Sequence, residues 1–178
     1  MTDAGLVVAL ANAQAPRRPP YARAAVAQDA LADARRASEL LEPFLEVRVR
    51  EEDLPAVRAV QRAVLAIVDA LIDGSPPPLE ALNRLAAREP LVQVLEQGPG
   101  GGPRTTLRPR RTSAAATLIA DVIGELGRLD PRRLRRCARP ECPLVFYDIT
   151  RPGTQRWHAE RPCGLRERQR RHQARHAV

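Results

Sequence analysis

The sequence predicts a mainly α-helical protein with a small β-hairpin. A helical amino-terminal domain over residues 1–127 is followed by a carboxy-terminal module over residues 128–178, made of short strands and a basic helix. Three observations lead there. Apolar residues recur at helical spacing through most of the first 127 residues. Two short extended runs flank a Gly-rich turn. All three cysteines and the whole excess of basic charge lie beyond Gly127. The chain has 178 residues, 44% of them apolar, which suits one globular domain with a small appended module. Its five aromatic residues (Tyr21, Phe44, Phe146, Tyr147, Trp157) leave a core of Leu, Val, Ile and Ala. No apolar run approaches the roughly 20 residues needed to span a membrane, so a transmembrane protein is excluded.

The elements follow in order. Leu6-Val7-Val8-Ala9-Leu10 carries a faint likeness to a signal peptide, but it lacks the positive start and the length of one. Ala24–Leu45 reads as a helix, with Val26, Leu31, Ala34, Leu40, Leu41 and Leu45 near helical spacing and Pro43 disturbing its end. Glu51-Glu52-Asp53-Leu54-Pro55 marks the start of the next helix, because acids favour the positive end of the helix dipole and Pro is tolerated in a first turn. This carboxylate cluster reads as a solvated helix start, not as an acid/base pair. The apolar set from Val57 to Ile72 follows, and Asp73-Gly74-Ser75-Pro76-Pro77-Pro78 stops it. Leu79–Ala87 forms a short helix. Leu91–Leu95 and Thr105–Pro109 read as the strands of a hairpin around Gly98-Pro99-Gly100-Gly101-Gly102-Pro103, a turn with no Gly-Lys-Ser/Thr after it to bind phosphate. Thr112 or Ser113 caps a last body helix, Ala114–Leu126, which Gly127 ends.

The charge is divided sharply. All 29 basic residues are Arg. Residues 128–178 hold 14 of them against 5 acids, a balance of +9, while the first 127 residues stand at −1. A near-neutral body with a basic end points to a polyanionic partner for that end. The competing reading is a solvated Arg-rich tail reflecting codon preference.

The cysteines sit in the same segment. Cys137 and Cys142 are separated by four residues, and so are His158 and Cys163, with fifteen residues between the pairs. Two such knuckles place four thiolate and imidazole donors tetrahedrally around Zn²⁺, and a closed four-ligand site is structural. A segment with so few large aliphatic residues rarely folds without a staple. Buried, unliganded cysteines are the alternative. His172 and His176 are also available as ligands, but they would leave Cys163 unused, so His158 with Cys163 makes the better pair. Beyond Cys163, the run Gly164–His176 has a helical pattern with almost no apolar face; such a helix is a frayed tail or is held by a partner. In a major groove, Arg166, Arg168, Arg170, Arg171 and Arg175 would reach phosphates and base edges. Four to six phosphate contacts would give a log–log salt slope of roughly −4 to −5.

These residues resemble the CGNR zinc-finger proteins of bacteria, which carry an amino-terminal ABATE domain. The likeness in the finger rests on Cys137, Cys142, Phe146, Asp148, Arg156, Trp157, Cys163, Gly164 and Arg166. Two positions depart from the family pattern: His158 stands where the family has its third Cys, and Leu165 replaces the name-giving Asn. In the body, Leu10-Ala11-Asn12-Ala13, the helix from Asp53 through Val64, and Leu82-Asn83 are similar to family segments. The resemblance implies a transcription regulator whose finger binds DNA and whose amino-terminal domain senses or interacts.

The expectation is therefore a cytoplasmic, nucleoid-associated DNA-binding regulator with structural zinc held by Cys137, Cys142, His158 and Cys163. A homodimer through the helical body is expected, since one module alone offers little specificity. A protein-interaction module whose Arg-rich end meets an acidic partner or RNA is the rival. No nucleophile–base–orienter set is visible, so an enzyme is not expected. The sequence leaves open any small-molecule effector of the helical body.

Overall fold

The computed structural model describes residues 5–14, 29–46, 48–111 and 113–176, without the side chain of Pro162. The fold is mainly α-helical with two small antiparallel strand pairs. The body contains α1 (Gly5–Ala11), α2 (Ala34–Leu41), α3 (Leu54–Ile72), α4 (Glu80–Arg88), the hairpin β1 (Leu91–Gln97) and β2 (Pro103–Pro109), and α5 (Ala114–Leu126). The terminal module contains β3 (Leu134–Arg136), β4 (Val145–Tyr147), a turn of π-helix (Glu160–Leu165) and α6 (Arg166–His176).

The core follows the apolar spacing. Val57, Val60, Val64, Ile67 and Val68 of α3 meet Leu118, Ile119 and Val122 of α5, with Leu6, Val7 and Leu10 of α1 packed against both. The apolar run near the amino terminus is thus a core helix. Each fully buried aliphatic side chain contributes about 1.5–3 kcal/mol. Ser113 caps α5 by accepting from the Ala116 amide at 3.0 Å; Thr112 lies outside the described residues. The β1–β2 hairpin pairs Leu91 with Pro109 through Gln97 with Pro103, with Gly101 at φ +78° in its turn.

The helix expected over Ala24–Leu45 is shorter. Residues 24–28 lie outside the described residues, and the helix begins at Ala34. Asp33 caps it, accepting from the Arg36 amide at 2.8 Å. The carbonyls of Leu31 and Ala32 bond to the Arg58 guanidinium of α3, at 2.9 and 2.8 Å, so they serve a tertiary clamp.

The terminal module packs directly on the body. Leu134 and Val145 belong to the same apolar cluster as α3 and α5. Asn12, buried just after α1, bonds Val145 both ways: its Nδ2 donates to the carbonyl at 2.9 Å and its Oδ1 accepts from the amide at 3.0 Å. On the opposite side, buried Glu125 of α5 accepts from the Leu6 and Val7 amides at 3.3 and 2.9 Å, satisfying the open amino end of α1.

Candidate metal centre

The strand pair β3–β4 builds one side of the site, with Arg135 opposite Phe146 and Arg136 opposite Val145. Cys137 leaves the end of β3, and its amide donates to the Leu144 carbonyl at 2.9 Å. The Cys142 amide donates to the Arg139 carbonyl at 2.9 Å, which closes the knuckle between the two cysteines. Downstream, buried Asp148 shapes the loop that returns to the site. Its carboxylate accepts from the Thr150 amide at 2.9 Å, the Thr150 hydroxyl at 2.5 Å and the Gln155 amide at 2.8 Å. Burial alone would raise its pKa, but these donors and the nearby Arg135 hold it below the ordinary carboxylate value. The Ala138 amide then donates to the Arg156 carbonyl at 2.8 Å, pinning the loop just before His158. Cys163 arrives on the π-helical turn, its amide donating to the Ala159 carbonyl at 3.3 Å.

These local structures bring together Cys137, Cys142, His158 and Cys163, whose donor atoms all lie within 4.8 Å of one another. The His158 Nδ1 atom is 3.3 Å from the Cys142 sulfur and 3.5 Å from the Cys163 sulfur. Tetrahedral zinc, with Zn–S of ~2.3 Å and Zn–N of ~2.0–2.1 Å, requires S···N edges of about 3.6 Å. Three sulfurs and one nitrogen at this spacing fit a closed, four-coordinate structural zinc site, with Nδ1 as the nitrogen donor. Burial pushes the Cys142 thiol up to about 12, and it also raises Cys163. Burial and then the charge of Arg139 lower His158, keeping the imidazole neutral as a metal ligand requires. Such a pocket disfavours free thiolates and favours thiolates neutralised by a cation. Zinc with three thiolates and one imidazole carries −1. Arg139 stands beside Cys163 as a hydrogen-bond donor and offsets that charge, while its Nε also bonds Glu141 at 2.9 Å.

Residues 133–176 match the family model of the CGNR zinc finger. The match spans the finger and its basic helix, including all four donors. No curated protein matches the chain. Within the finger, a Cβ at Gly164 would meet the exposed end of Glu160, 2.5 Å away, and would displace that carboxylate from its pairing with Arg168. Leu165, next in the chain, is exposed. His172 and His176 lie against each other on α6, ring centroids 4.4 Å apart, and join no donor cluster among the described residues.

Basic helix α6 carries Arg166, Arg168, Arg170, Arg171 and Arg175 on a surface that is mostly exposed. These arginines make contacts that sequence reasoning did not foresee. Arg168 pairs with Glu160 and stands 5.9 Å from the Trp157 ring centre, whereas Arg156 stands 5.6 Å from the same ring. Arg175 Nε donates to the Arg171 carbonyl at 3.4 Å. Glu167 is the one buried residue of α6, and Arg170 and Arg171 both grip its carboxylate, at 2.8 and 2.9 Å. The i,i+3 and i,i+4 spacings were the available signal.

The two arginines lower the Glu167 pKa to about 2. Its favourable contribution is therefore fully present above the ordinary carboxylate value near 4.3 and is lost progressively as pH falls from there through about 2. Glu167→Gln is expected to loosen Arg170 and Arg171 at neutral pH, seen as faster side-chain motion by NMR. Loss of α6 order between pH 6 and 4 should be equal in both proteins; a loss seen only in wild type would contradict the assignment.

Proposed function

We propose that the protein is a DNA-binding transcription regulator whose zinc-stapled module presents α6 to the duplex. The observation that carries this reading is the exposed, Arg-rich helix joined without a linker to the four-donor site. Cys137, Cys142, His158 and Cys163 hold the zinc as a structural ion. Arg166, Arg168, Arg170, Arg171 and Arg175 contact phosphates and base edges, with Glu167 and Glu160 ordering the side chains between encounters. In this reading residues 1–127 form an ABATE-like body for sensing or dimerisation, and residues 128–178 form the finger.

The test is anisotropy of a fluorescent duplex with the zinc-loaded full chain across a salt series. A log–log slope of roughly −4 to −5 is expected for wild type. Arg168→Glu with Arg175→Glu should reduce its magnitude by about 2 while leaving the zinc content unchanged. Absence of salt-sensitive binding at low ionic strength would overturn the reading in favour of an acidic protein partner.

A further inference from the structure

A cleft of ≈ 480 Å³ lies between the carboxy end of α3 and the finger, away from the exposed length of α6. Leu71, Ile72 and Leu134 are among its apolar lining, and Arg132, Arg135, Arg136, Arg156 and Gln155 supply its polar part. No acidic side chain lines it. Arg136 is engaged by Asp69 at 2.8 Å and lies 3.9 Å from Asp73. Arg135 has the buried Asp148 carboxylate at 3.8 Å, beyond hydrogen-bonding distance, and one of its NH2 groups donates to the Gly153 carbonyl at 2.7 Å. Its Nε–H, the atom nearest that carboxylate, is buried and closed to the cleft. Arg132 and Arg156 have no acidic partner among the described residues.

Such an arrangement is uncomfortable on its own. Guanidinium groups gathered on one wall repel one another until an anion joins them. The fork geometry of Arg suits the tetrahedral oxygens of a phosphate group, and Gln155 supplies a further polar side chain. We propose that this cleft is a phosphate-binding site, with Arg132 and Arg156 as the principal cations and Arg135 beside them in its wall. The phosphate is that of a DNA backbone or of a small phosphorylated molecule. Arg156 of the cleft and Arg168 at the root of α6 stand 5.6 and 5.9 Å from the centre of the same Trp157 ring. A backbone running past that root would meet the cleft next, and this arm alone rests on the DNA-binding reading.

Inorganic phosphate is titrated into the zinc-loaded full chain at constant ionic strength, with the Arg Nε–H signals followed by NMR. Saturable shifts of Arg132, Arg135 and Arg156 are expected, and the Arg135 shift should be absent in Arg132→Ser with Arg156→Ser. Arg132→Ser alone, a change at an exposed turn, should weaken the response and serves if the double variant folds poorly. Duplex binding then separates the sources. A fall of roughly ten-fold in affinity, with a slope reduced by about 2, assigns the site to DNA. Unchanged duplex affinity assigns it to a small phosphorylated ligand. A phosphate response that is absent in wild type, or retained in the double variant, overturns the proposal. The Arg168→Glu, Arg175→Glu protein keeps the cleft intact, so a phosphate response without duplex binding condemns the role of α6 and not the site.

Discussion

Chelation of zinc, or Cys142→Ser, is expected to unfold the finger from β3 to α6 and to lower the melting temperature of the helical body. The reasoning starts from how little else holds the segment. Among the described residues its buried apolar side chains are those of Leu134, Val145 and Phe146, together with the ligands Cys137 and Cys163. Structural zinc in small fingers supplies an apparent binding free energy of about 10–16 kcal/mol near neutral pH, and most of that appears as folding free energy. Without the cation nothing holds Cys163 as a thiolate, since burial raises its pKa. Helix α6 has almost no apolar face of its own and depends on the π-helical turn that carries Cys163. Far-UV circular dichroism and amide exchange would follow the change, with unfolding complete in α6 and partial in α1 and α3. A finger that keeps its exchange protection after zinc is removed would exclude the staple. Because thiolates must form to bind the metal, zinc affinity should also fall steeply with decreasing pH.

Asn12→Leu is expected to destabilise the chain by about 2–4 kcal/mol and to weaken zinc retention, although the residue lies far from the ligands in sequence. Asn12 satisfies both backbone groups of Val145, and its replacement leaves a buried N–H and a buried C=O without partners. Leu is also wider than Asn at the branch and has to fit between α1 and β4. The coupling to zinc follows from register: Val145 pairs with Arg136, the residue before Cys137. Denaturant melts of the zinc-loaded protein and competition with a chelator measure the two effects separately. A stability change below about 0.5 kcal/mol would mean that water replaces the Asn contacts and that the two parts are joined by apolar packing alone.

These two residues mark where the sequence was and was not legible. Periodicity located α3, α4 and α5 closely, because each buries one face and carries its own stop or start signal, such as the Pro-rich stretch after Ile72 or the Ser113 cap. The four donors were legible because ligand spacing is a local property. The β3–β4 join was not, since Asn12 and Val145 are separated by 133 positions and nothing near either residue announces the other. Glu125 looked like an ordinary polar residue of an amphipathic helix, yet it closes the amino end of α1. The extended helix expected before Leu45 failed for a similar reason. Arg58, a long-range partner, takes the carbonyls that a longer helix would have used. The arginines of α6 were identified as a set, but their division into Glu167-bound and Glu160-bound members depends on which carboxylate is buried, and burial is a tertiary fact.

The Asn12–Val145 join has a geometric consequence for any paired assembly. Many nucleic-acid readers hang from the rest of their chain on flexible tethers, so two copies sample a range of separations and tolerate variable gaps in the target. Here β3 and β4 share a core with α1 and α3, and the finger has no slack relative to its body. If two bodies associate symmetrically, the distance between their two α6 helices becomes a fixed length. If α6 reads DNA as proposed, the target would then be measured in whole helical turns, and the body would act as a ruler.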